Sequence, residues 1–127
     1  MKVKEVAVLF VEDEPFLRES MGAWLARTAG QVLCAENGEK AMEILAANKI
    51  DLLITDVRMP GMDGIALVKR VGKAELGPRM IIVTGFNDLS LQEARRLGID
   101  AILEKPIDRE ELLRAMKNCL GDGDGDA

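Results

Sequence analysis

Five short apolar runs, each followed by a stretch with helical spacing, set the tightest limit on what this 127-residue chain can fold into. The runs are "EVAVLFVED", "QVLCAE", "DLLITD", "RMIIVTG" and "DAILEK". Three of them are almost continuously apolar, the pattern of parallel strands covered on both faces. The first intervening stretch, "EPFLRESMGAWLARTAG", spaces Leu17, Met21, Trp24, Leu25 and Thr28 as one helix face, opens with Pro15 and stops at Gly30. "NGEKAMEILAANK" turns Ala41, Ile44 and Leu45 to one side, with Asn37 as its cap. "GMDGIALVKRVGK" reads as a turn and then a helix with Ile65, Val68 and Val71 inward. "NDLSLQEARRLG" is a helix ended by Gly98, and "PIDREELLRAMKNCL" carries Leu112, Leu113, Met116, Cys119 and Leu120 as its stripe. Strict alternation of this kind implies an α/β fold, a doubly wound parallel sheet with helices brought to both faces by right-handed crossovers. The length suits one domain, expected over residues 1–120. Residues 121–127, "GDGDGDA", cannot build a core and are expected to be a flexible tail or the remnant of a linker.

Composition removes several classes of function. Apolar residues make up 48% of the chain, which argues against disorder. A net charge of −5 argues against a dedicated binder of phosphate backbones, and a single Trp with no Tyr offers no stacking platform. Direct nucleic-acid binding is therefore not expected. The N-terminal "MKVKEVAVLFVEDE" has six apolar residues before acid, too few for a signal-peptide core or a membrane span, so a cytoplasmic location is expected. Cys34 and Cys119 form no CxxC pair and sit in apolar patterns, which points to reduced core or near-core residues. The chain has no histidine. That excludes Ser-His-Asp and Cys-His catalysis, histidine metal sites, and a phosphohistidine carried on this chain.

In a parallel sheet the C-terminal strand ends share one edge, and ligands of open α/β folds bind beyond it where the strand order reverses. Here those ends carry Glu12 and Asp13, then Asp56, then Thr84, then Glu104 and Lys105. Glu12, Asp13 and Asp56 would crowd three negative charges into one crevice, which is costly without counter-charge. Lys105 offsets one, and a hard divalent cation such as Mg²⁺, which takes oxygen ligands, would offset more. A carboxylate, a metal, an ammonium and a hydroxyl facing one another are the parts phosphoryl transfer needs, with Asp56 as the nucleophile. Taken singly, each residue has an ordinary reading. Asp56 could be a cap or turn former, the Glu12–Pro15 stretch a helix N-terminus, Thr84 a strand residue and Lys105 surface charge. Asp51 and Asp63 read as turn residues.

The motifs "FVEDE", "ITDVRMPGMDG", "IIVTG" and "LEKPID", in this order and at these separations, resemble the receiver domain of bacterial two-component response regulators, over about Val6 to Leu120. The resemblance implies a flavodoxin-like sheet of strand order 2-1-3-4-5 flanked by five helices. It also implies that Asp56 is the phosphorylated aspartate. Asp13 would bind Mg²⁺ directly, Glu12 would hold it mostly through water, and the backbone carbonyl of Arg58 would add a ligand. Thr84 would hydrogen-bond the phosphoryl group, and Lys105 would pair with it. The Lys105–Pro106 bond would be cis, and Gly61 and Gly64 would shape the turn after the acceptor. The donor would be a histidine kinase or a histidine phosphotransfer protein. The signal would pass to an output protein or domain, or to a homodimer, through the surface of helix four, strand five and helix five. The chain would take and lose a phosphoryl group without being a turnover enzyme.

One position departs from the family pattern. Ile102 stands three residues before Lys105, where many members carry an aromatic that turns inward on activation, so another rotamer change or a shift of "GFNDLS" is expected to carry the signal. Arg58 and Phe86 occupy positions that influence dephosphorylation in this family. Neither obviously positions an attacking water, since Phe86 has no polar group and Arg58 is a poor base, so a long-lived phosphoryl state is expected. Two other readings compete. One is a receiver-like interaction module independent of phosphorylation, for which Ile102 is the only support. The other is a phosphatase with an aspartyl-phosphate intermediate, which would need an acid where Arg58 stands and a cap domain.

Overall fold

The computed structural model describes residues 1–72, 77–85 and 91–122. Strand and helix alternate five times: β1 Ala7–Val11, α1 Pro15–Thr28, β2 Gln31–Ala35, α2 Gly38–Ala47, β3 Leu52–Asp56, α3 Gly64–Val71, β4 Arg79–Thr84, α4 Leu91–Leu97, β5 Ala101–Glu104 and α5 Arg109–Leu120. A 3-10 turn at Val3–Glu5, with Val3 buried, precedes them and has no periodic signal in the sequence. The five strands form one parallel sheet in the order β2-β1-β3-β4-β5.

The period-two alternation of side chains sorts the strands' apolar residues into two cores. Val8, Phe10, Leu52, Ile54, Ile81 and Val83 face one side, where Met21 and Leu25 of α1 and Leu112 and Met116 of α5 cover them. Leu9, Val11, Leu53 and Ile82 face the other, against Ala41 of α2, Leu67 and Val68 of α3 and Ala94 of α4. Every residue of β3 is buried, which explains its unbroken apolar run. Truncating one of these side chains, Leu53→Ala for example, costs about 2–5 kcal/mol.

The helix starts follow sequence chemistry. The Glu14 carboxylate accepts from the Phe16 and Leu17 amides at 3.1 and 2.8 Å, ahead of Pro15. Asn37 caps α2 through the Lys40 amide at 2.8 Å, and Asp63, read as a turn residue, caps α3 through the Ala66 amide at 2.8 Å. Asp51 also sits in a turn, but its carboxylate accepts from the Ala7 amide at 2.9 Å and so ties the β3 entrance to β1. Gly121 ends α5 in the left-handed region with φ 71°, and the Asp122 carboxylate accepts from the Val3 amide at 3.0 Å.

One expectation about burial is corrected. Cys34 is exposed, because β2 is an edge strand, although its sulfur would lie 2.9 Å from a Cβ at Gly22 of α1. Cys119 is half-buried, as its pattern suggested, and burial pushes its thiol up to about 11. In α3, Val68 and Val71 are buried and Ile65 packs half-buried against the same core, as expected, and Leu67 joins them. Trp24 is half-buried against the core, and the Arg109 guanidinium lies 5.8 Å from its ring centroid. The "GFNDLS" loop from Phe86 onward, and the last five tail residues, 123–127, lie outside the described residues. Among the described residues no helix is long and apolar enough to cross a membrane.

Candidate functional site

Strand pairing brings the polar strand ends together. Val11 pairs with Thr55, so Glu12 follows β1 beside Asp56 at the end of β3. Asp56 in turn pairs with Val83, and Thr84 with Glu104, so Thr84 and Lys105 follow on the next two strands. The site lies where the chain reverses its strand order, between β1 and β3.

Each carboxylate of Glu12, Asp13 and Asp56 offers an oxygen, and these oxygens all lie within 4.8 Å of one another. Glu12 and Asp56 are buried and Asp13 is partly exposed. The Lys105 ammonium donates to Asp56 Oδ2 at 2.5 Å, with the lysine side chain 34% exposed and the aspartate 5%. A charge-assisted bond this short fixes the orientation of the Asp56 carboxylate. The other strand-end residues also stand where the pattern put them. Thr84 is buried at the end of β4, and Arg58 is exposed two residues beyond Asp56. The Lys105–Pro106 bond is cis.

The electrostatics match a crowded acidic pocket. Burial raises the Glu12 carboxyl above its ordinary range; the Glu14 amide works against this, while the Asp56 charge adds to it. For Lys105, burial pulls the ammonium down. The hydrogen bond and charge of Asp56 outweigh that, with Glu12 and Asp13 adding, so the net shift is upward.

The backbone around the site is equally constrained. A Cβ on Gly64 would stand 2.0 Å from the Asp56 carbonyl oxygen, so only glycine lets α3 start there. The Gly64 amide donates to the Val57 carbonyl at 2.8 Å and closes the turn. Gly61 takes φ 77°, the left-handed region. Two contacts escaped the reading of the strand ends. The Glu14 amide donates to the Glu12 carboxylate at 3.0 Å. Arg18 Nη1, one turn into α1, donates to the main-chain carbonyls of Glu12 and Asp13 at 2.8 and 3.3 Å. The only sequence hint of the latter is a cation one helical turn beyond an acidic N-cap, a spacing too common to single out.

Three carboxylate oxygens within 4.8 Å make an all-oxygen donor set. Two of the three residues are buried and, among the described residues, one ammonium is seen paired there, so the set fits a hard divalent cation such as Mg²⁺. Arranged beside a lysine and a buried threonine, it has the parts for phosphoryl transfer to a carboxylate.

Comparison with known proteins gives the family. Residues 8–117 match the model of the response regulator receiver domain. The chain is similar to sporulation initiation phosphotransferase F of Bacillus subtilis (strain 168), 32% identical over 114 residues covering 89% of this chain and 92% of that protein. It is 32% identical to the transcriptional regulatory protein GlrR of Escherichia coli (strain K12) over 94% of this chain but only 27% of that protein. Several curated relatives are thus much longer than the chain, which spans 27–46% of them. Among solved structures, the signal receiver domain of an HD domain-containing protein from Pseudomonas fluorescens Pf-5 superimposes with a TM-score of 0.83 at 28% identity, covering 92% of this chain and 95% of that one. With the sheet order, the strand-end residues and the family match in agreement, the chain belongs to the receiver domain family of response regulators, and so to the proteins of two-component signalling.

Proposed function

We propose that the chain accepts a phosphoryl group on Asp56 from a phosphohistidine of a separate histidine kinase or phosphotransfer protein, and that this switches its α4-β5-α5 surface. The observation that carries the reading is the Lys105 ammonium 2.5 Å from Asp56 Oδ2, in a pocket shared with Glu12 and Asp13. Mg²⁺ would be held by Glu12, Asp13, Asp56 and the Arg58 carbonyl, and would supply positive charge opposite the phosphoryl oxygens.

The chain's own residues do the rest. An Asp56 oxygen attacks phosphorus in line with the P–N bond of the donor. The O–P bond forms, the P–N bond breaks, and the imidazole leaves and takes a proton from solvent. Lys105 holds the carboxylate in place before the transfer and pairs with the new phosphoryl oxygens after it. Thr84 donates its hydroxyl to one of those oxygens. Positioning and fixed charge carry most of the rate, because the transferring group needs little covalent assistance. The moves of Thr84 and Lys105 toward the phosphoryl group then bias the neighbouring surface between two arrangements.

Residues 1–120 act as the receiver, in the cytoplasm, and 121–127 as a tail or linker remnant. The output is a partner protein, a further domain or a second copy of the chain. Ile102 is half-buried and packs against the core on the side of α2, α3 and α4. An aliphatic side chain so placed has no ring to swing, and it suits a switch in which Thr84 and the following loop move without an aromatic partner.

Incubation with acetyl phosphate and Mg²⁺ tests the proposal. A single phosphate mass gain, labile to hydroxylamine and absent in Asp56→Asn, is expected. No gain in the wild type would favour a module that works without phosphorylation, and a gain in Asp56→Asn would refute the assignment.

A further inference from the structure

The turn after Asp56 is gripped from outside the site by the first turn of α2. The Glu39 carboxylate accepts from the Met62 amide at 3.3 Å. Gly61, in the left-handed region, lets that carboxylate lie over the turn: a Cβ there would stand 3.3 and 3.4 Å from the two Glu39 oxygens. Gly38 makes the approach closer still, since a Cβ on it would lie 2.7 Å from the Met62 carbonyl oxygen and 2.8 Å from the Met62 side chain. At its far end the same turn is fixed by Gly64 against the Asp56 carbonyl. The segment 57–64 is therefore closed onto the acceptor's own backbone by Gly64 and held near its C-terminal end, at Gly61 and Met62, by a carboxylate from another helix.

We infer that Glu39 is a positioning residue for phosphoryl transfer: through the Met62 amide it fixes the turn that carries the Arg58 carbonyl beside Asp56. The inference rests on the proposed role of Asp56 and Mg²⁺. Glu39 is exposed and stands outside the cluster of Glu12, Asp13 and Asp56, so its effect passes through the backbone of Gly61 and Met62. Removing a partner hydrogen-bonded to a ligand costs about tenfold or more in metal affinity, and a residue that acts through the backbone, as Glu39 does, costs less, about threefold. The acceptor oxygen matters and the charge does not, so glutamine in its place keeps the function.

The test compares Glu39→Ala, Glu39→Gln and wild type, full chain, by three measurements: hydrogen exchange of the Met62 amide by NMR without metal, Mg²⁺ binding by calorimetry, and the rate of labelling by acetyl phosphate. Glu39→Ala is expected to exchange the Met62 amide about fivefold faster, as for one lost hydrogen bond, to bind Mg²⁺ about threefold more weakly, and to label more slowly, with Glu39→Gln restoring most of each. Unchanged exchange and Mg²⁺ affinity in Glu39→Ala would overturn the inference, and so would a Glu39→Gln variant as impaired as the alanine. If wild type binds Mg²⁺ but takes no phosphoryl group, the acceptor reading fails, while exchange and calorimetry still decide the role of Glu39.

Discussion

Replacing Glu12 by glutamine should make the metal-free protein more stable at mildly alkaline pH. The residue is 2% exposed, and its carboxylate shares a pocket with those of Asp13 and Asp56, the three oxygens within 4.8 Å of one another. At that separation and an effective dielectric of about 20, each like-charge pair costs about 3 kcal/mol. The variant removes two such repulsions and loses the attraction to Lys105, which offsets about one of them, and it keeps an acceptor for the Glu14 amide. After discounting for solvent at the partly exposed Asp13, the net gain is about 1–3 kcal/mol. The sign with pH follows from the raised Glu12 pKa. The folded state holds that proton to higher pH than the unfolded chain does. The wild type therefore loses stability as pH rises from the usual value of 4.5 through the higher folded value, and is level above it. The advantage of Glu12→Gln should appear over that window and vanish at lower pH. Saturating Mg²⁺ should shrink it, since a cation that binds the folded wild type stabilises it by mass action and the variant binds it less. Urea denaturation across pH, with chelator and with Mg²⁺, measures all of this. A Glu12→Gln variant less stable than wild type without metal at alkaline pH would show that like-charge crowding does not govern this pocket.

Other perturbations reach the same site. Lys105→Ala leaves Asp56 buried without its cation and should cost about 1–2 kcal/mol at neutral pH, less than for a fully buried pair because the lysine is 34% exposed. Because the Lys105 pKa is raised, that contribution is intact below its usual value of 10.5 and is lost as pH climbs through the higher folded value, so the gap between the two proteins in denaturant closes in strong alkali. Gly64→Ala puts a Cβ 2.0 Å from the Asp56 carbonyl and should cost about 3 kcal/mol or more, with labelling by acetyl phosphate reduced in whatever fraction folds. Arg58→Asn and Phe86→Asn should each shorten the life of the phosphoryl form, because each adds a side chain able to orient water; unchanged decay, followed by mass spectrometry, would remove the reason for a long-lived state.

The sheet was legible because its information is local and periodic. Each strand of the central three is an apolar run, α1, α2, α3 and α5 each start on a capping side chain, and the order of polar strand ends Glu12, Asp13, Asp56, Thr84 and Lys105 turns into one edge once the strands are parallel. What escaped depends on contacts between elements. Cys34 has the apolar neighbours of a core residue, yet it sits on β2, an edge strand, which its local pattern does not show. Leu67 is as apolar as Ile65, and that it too enters the core is decided by how α3 leaves the Gly64 turn. Arg18 and Glu39 are ordinary surface charges in sequence; their roles come from carbonyls and amides on other segments, at Glu12 and Asp13 and at Met62.

Reduction of the phosphodonor-treated protein with borohydride, followed by peptide mass spectrometry, tests the role of Asp56 most directly, because the reagent converts an aspartyl phosphate to homoserine where it stands. Homoserine at position 56, dependent on Mg²⁺ and lost in Asp56→Asn, is the expected result. Homoserine at another acidic residue, or at none while Lys105 and the three carboxylates are intact, would contradict it.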